Sequence, residues 1–154
     1  KSKVKGEFDV NQKTMAFIIT IPNIISVGGP SNVRYILGYK TKRLIEVSIV
    51  WPVPGTKIID PRGVVSASKL LLQHFLKKKY KKDHYHINQK LKDVTVNRES
   101  AIVFNGQDEK SRMIRLVLTL SKNEEKKDPE EAAKDMSLKL SYMLEPFAPD
   151  IFKD

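Results

Sequence analysis

The chain has 154 residues, 40% of them hydrophobic and 30% charged, enough apolar material to bury one core and too much for wholesale disorder. It has no cysteine, which excludes disulfides, cysteine nucleophiles and thiolate metal sites. Its net charge of +10 is uneven: +5 over residues 1–60, +7 over 61–100 and −2 over 101–154, so a nucleic acid, an anionic lipid or an acidic protein is a permitted partner.

The chain opens on the basic stretch "KSKVK" at Lys1, read as an N-terminal arm over residues 1–7 that follows either a removed leader or an upstream domain. In "TMAFIITIP", Met15, Phe17, Ile19 and Ile21 alternate with Ala16, Ile18 and Thr20, so both sides are apolar, as in a central strand. This is the longest apolar run, and it is far short of the roughly 20 residues of a membrane helix. Gly28-Gly29-Pro30 breaks the pattern. "VRYILGYK" and "RLIEVSIVW" alternate again, and the "KTKR" link between them predicts an antiparallel hairpin.

"PVPGTKIIDPRG" reads as a loop, and a helix is expected from an N-cap at Ser66 through Leu72, Phe75, Leu76 and Tyr80. "DVTVN" and "SAIVF" predict short strands, "FNGQDEKS" a hairpin tip, and "RMIRLVLTL" a strand with Ile114, Leu116, Leu118 and Leu120 facing in. A second helix is expected from Asp128 as cap and Pro129 at its first position, with Ala133, Met136, Leu140, Met143, Leu144 and Phe147 as its apolar stripe. Residues 146–154 follow as a tail packing back on the body.

The expectation is one α+β domain over 1–154, a twisted antiparallel sheet of about five or six strands with two main helices on one face. This element order resembles the PsbP-like layout, in which a twisted antiparallel sheet carries helices between and after its strands. The resemblance implies that fold alone.

Two groups of residues are candidate binding sites. Lys77, Lys78, Lys79, Lys81 and Lys82, with Lys90 and Lys92 nearby, are a candidate contact for an anionic partner, since lysine clusters neutralise phosphates without reading sequence. Their bland alternative is a solvated helix C-terminus, where the macrodipole favours cations. Tyr35, Tyr39 and Trp51, expected near one end of the sheet beside a Pro-rich loop, are a candidate protein-binding cluster, set against a simpler role as core filling.

Asp83, His84 and His86 are the only group resembling a metal or acid–base site. A site needs three or four ligands, and the one other histidine, His74, lies ten residues before His84. No metal and no cofactor is therefore expected. Nucleophile-elbow, phosphate-loop and dinucleotide patterns do not occur, so no catalytic residue is assigned. The function expected is a non-catalytic binding module, exported to a periplasm or cell envelope, contacting a protein or anionic partner. The alternatives are a nucleic-acid-binding protein using the lysines over 77–92, in a cytoplasmic setting, and a small acid–base or metal-dependent enzyme around Asp83, His84 and His86.

Overall fold

A computed structural model describes residues 4–25, 27–53, 61–80, 86–93, 98–121 and 136–153. Among the described residues eight strands form one sheet: β1 (Val4–Asp9), β2 (Thr14–Ile21), β3 (Ser31–Leu37), β4 (Leu44–Trp51), β5 (His86–Asp93), β6 (Arg98–Gln107), β7 (Met113–Ser121) and β8 (Met136–Met143). One helix, α1 (Pro61–Leu76), connects β4 to β5. The sheet order is β1-β2-β3-β4-β8-β7-β6-β5, and every neighbouring pair is antiparallel. Two four-element runs thus meet at the last strand, β8.

This overturns the expected sheet of five or six strands under two helices, and with it the PsbP-like order. Among the described residues α1 is the only helix; Met136, Leu140 and Met143 of the expected helical stripe lie on the strand β8 at the centre of the sheet, and Leu144 and Phe147 lie past its end. The expected cap at Asp128 and the first turns lie outside the described residues. Met136, Leu140 and Met143 do fall at helical spacing, but Met136, Leu138, Leu140 and Tyr142 alternate equally well against Ser137, Lys139, Ser141 and Met143. Tertiary structure breaks the tie. Without β8, both β4 and β7 would present an unpaired row of backbone N–H and C=O groups in the middle of the protein, and such groups are costly to leave unmade.

The helix begins at Pro61, whose fixed φ suits a first helical position, and ends at Leu76, four residues short of the expected Tyr80. Its Val64, Ala67, Leu71 and Phe75 are buried against Val103 and Phe104 of β6, Leu116 of β7, Leu138 and Leu140 of β8 and Trp51 of β4. Phe75 and Phe104 stack at 5.3 Å, and Tyr80, although past the helix, sets its ring edge-on to Phe104 at 5.1 Å. Ile114 and Leu118 pack against the same core, as their alternation requires.

The β6–β7 hairpin turns at Asp108–Arg112, slightly beyond the Asn105-Gly106 pair, which lies within β6. The Asp108 carboxylate accepts hydrogen bonds from the N–H groups of Lys110 and Arg112 and from the Arg112 guanidinium. Burial acts to raise the Asp108 pKa, but these donors and the Arg112 charge outweigh it and hold the group below its ordinary value.

The C-terminal segment closes one end of the sheet. Phe152 N–H donates to Gln12 O, its ring meets Tyr39 edge-on at 5.5 Å, and Lys13 Nζ sits 3.4 Å from its centroid. The Asp150 carboxylate accepts from the Thr41 hydroxyl, the Thr41 N–H and the Lys40 N–H at 2.7–3.0 Å, which together hold its pKa below 3.8. A depressed carboxylate contributes stability that is fully present above its unfolded value and lost as the pH falls through the lower folded one. The stability gap between the protein and Asp150→Asn is expected to be constant from neutral pH down to about 4 and to close below that. Denaturant titrations at stepped pH check this, and a gap unchanged in strong acid would remove Asp150 as an acid-labile contact.

Candidate binding surface

Register and alternation place Val4, Gly6 and Phe8 of β1 on the same side as Met15, Phe17 and Ile19 of β2, Val33, Tyr35 and Leu37 of β3, and Val47, Ile49 and Trp51 of β4. Through β8 this is also the side of Leu138, Leu140 and Tyr142, the side on which α1 packs. The helix lies over β6, β7 and β8, and its length of 16 residues, about 24 Å, does not take it across the β1–β3 half.

That half is open. Val4 is 59% exposed, Phe8 54%, Phe17 40%, Met15 37% and Tyr35 36%. Phe17 lies directly opposite Tyr35, and Phe8 opposite Met15, so these are two adjoining cross-strand rows, not scattered residues. Tyr142, 37% exposed, bridges the open half and the helix-covered half: its ring meets Phe75 edge-on at 6.4 Å, and burial pushes its phenol pKa up. Two-sided burial was the expectation for β2. Instead Ala16 is buried on one side while Met15 and Phe17 stay half-open on the other.

The opposite side of the sheet is mixed, with Ala16, Ile102 and Met113 buried there among polar side chains. A transverse row runs Lys5, Ile18, Arg34, Ser48, Ser141, Arg115 and Asn105 from β1 to β6. Arg34 pairs with Glu7 at 2.9 Å, Arg115 Nε donates to Asn105 Oδ1, and Lys139 lies 3.5 Å from Glu46. These interactions hold the strands in register without gathering titratable groups around a common point.

Of the three aromatics singled out in the sequence, only Tyr35 lies on the open half. Trp51 is wholly buried at the far end of β4, against Gly28 and Ala67, and Tyr39 sits in the β3–β4 turn against Phe152. The three are therefore spread over opposite ends of the sheet. Lys77, Lys78 and Lys79 are exposed directly after α1, where the Lys78 N–H closes on Phe75 O. Lys81, Lys82, Asp83 and His84 lie outside the described residues. His86, Lys90 and Lys92 belong to the edge strand β5, where only their backbone is described. Among the described residues no group of three or more His, Asp or Glu side chains could hold a metal ion, and no helix is long and apolar enough to cross a membrane.

Met15 and Phe17 were legible only as strand residues, and Phe8 was not assigned to any element. Their exposure follows from where the helix lies, which no local pattern encodes. What the geometry defines is an antiparallel sheet with helical cover on one half of one face and an apolar, aromatic-bearing remainder. No protein-family model matches the chain, and neither the curated proteins nor the solved structures contain a match to it.

Proposed function

We propose that the chain is a non-catalytic binding module that takes a protein partner on the open β1–β3 half of the sheet. The observation that carries this is the pair of adjoining rows Phe8–Met15 and Phe17–Tyr35, large apolar side chains each more than a third exposed on one face. Contiguous exposed apolar surface of this kind marks interaction sites, and tyrosine and phenylalanine are enriched there. The formal charge of +10 favours an acidic partner through long-range steering. An exported or envelope-associated setting belongs to the same proposal and rests on composition alone.

The test is a pair of aspartates placed on the patch. Phe17→Asp and Phe8→Asp are expected to keep the melting temperature within a few degrees, because both positions are already wet, and to weaken a co-purifying partner at least about tenfold by titration calorimetry. Lys110→Asp, on the β6–β7 turn, serves as a control and leaves the affinity unchanged. A partner bound equally well by Phe17→Asp and Phe8→Asp would refute this surface as the site.

A further inference from the structure

We infer that the free edge of β1 pairs with β1 of a second copy of this chain, about a two-fold axis passing between the two Gly6 residues. β1 is the outermost strand of the sheet, all six of its residues are exposed, and among the described residues only one of its two edges is occupied, by β2. An exposed strand edge presents backbone N–H and C=O groups ready to pair with another chain. Natural edges are blunted by proline, bulges or charged side chains, which a partner strand must answer with opposite charge. β1 has no proline, its pairing with β2 is regular, and its two central charges are of opposite sign.

The sequence of the strand selects the occupant. Two antiparallel copies that keep their helix-bearing faces on one side must pair residues whose numbers sum to an even value. With Gly6 opposite Gly6, Lys5 faces Glu7 of the second copy, whose other partner is Arg34 of its own chain, Glu7 faces Lys5, and Val4 and Phe8 face each other in both directions. All four pairs are complementary, two by charge and two by apolar contact. The neighbouring registers set Lys5 against Lys5, or Glu7 against Glu7 with Lys5 against Asp9, so of the three the Gly6 register alone brings no like charges together. "VKGEF" is thus self-complementary about its glycine in one register only. At that glycine there is room: its backbone is not in the left-handed region, and a Cβ built there has nothing within 4 Å.

The result would be a closed two-fold dimer with one continuous sheet, bringing Phe8, Met15 and Phe17 of both copies side by side on one face. A short strand edge buries less than the ~800 Å² per partner of a standard interface, so the dimer is concentration-dependent. This inference goes beyond the proposed function and stands on the strand edge, not on the apolar face. Phe17→Asp tests the face and leaves β1 intact.

The chain's lack of cysteine makes a direct test clean. In Gly6→Cys the two new Cα atoms would stand ~4.5–5.5 Å apart, within disulfide range, whereas in Lys5→Cys the offset of two residues separates them by ~8 Å. Gly6→Cys is expected to oxidise to a covalent dimer, and Lys5→Cys to remain uncrosslinked under the same conditions. In sedimentation velocity, Lys5→Glu and Glu7→Lys should each self-associate about tenfold more weakly than the unmodified protein, and an equimolar mixture of the two should recover a dimer of doubled mass. Equal crosslinking at positions 5 and 6, a mixture no more associated than its components, or open-ended oligomers in place of a dimer would each overturn the inference.

Discussion

Replacing Phe104 with alanine is expected to remove about 3–5 kcal/mol of stability, a large part of the roughly 5–15 kcal/mol of a whole domain. Phe104 is fully buried, stacks on Phe75 of α1 and receives the edge of Tyr80, so its ring joins the helix to the sheet. The void cannot collapse easily, because Phe104 is held from β6 on one side and from the helix on the other. Urea titration followed by far-ultraviolet circular dichroism measures the loss. Phe8→Ala, on the open face, is expected to change stability by no more than about 0.5 kcal/mol. A loss below about 1 kcal/mol for Phe104→Ala would mean that α1 is not docked where it lies here.

Gly28→Val is the second large effect. Gly28 has φ of +93°, where a branched side chain is strained, and a Cβ built there lies 3.1 Å from Ala67 Cβ and 3.2 Å from Trp51 Cδ1. Backbone strain of about 1–3 kcal/mol and overpacking of about 1–3 kcal/mol add, since both neighbours are fully buried and have nowhere to go. Trp51 is the only tryptophan, so its fluorescence reports the disturbance directly. Gly29→Ala separates the two causes. Gly29 also has a positive φ, +69°, but nothing lies within 4 Å of its added Cβ, so it carries the backbone cost alone. Equal losses for the two variants would show that the 27–30 segment does not press on Trp51 and Ala67.

Strands with strict alternation were readable from the chain. In Met113–Ser121 the residues Ile114, Leu116 and Leu118 point into the core, and β3 and β4 form the hairpin expected from the "KTKR" link. The helix was readable too, because its apolar residues recur at three- and four-residue spacing. Its ends were not: Pro61 starts it before Ser66, and it stops before the lysines. The segment 136–143 satisfied both periods, so local pattern could not choose. β1 was hidden for another reason. An edge strand buries little, so its alternation is diluted by charge, and residues 1–7 read as a basic arm.

By itself, then, the sequence determined that the chain folds around one core without thiol chemistry, that β2, β3, β4 and β7 are strands, and that the charge is strongly positive. These follow from composition and short-range periodicity, which act within a few residues. Tertiary structure alone decided that 136–143 fills the gap between two meanders, because backbone hydrogen bonding across the whole sheet sets that. It also decided that Trp51 is core while Phe8, Met15 and Phe17 are surface. Both kinds of residue are apolar and alternate alike; what separates them is the reach of a 16-residue helix over an eight-stranded sheet.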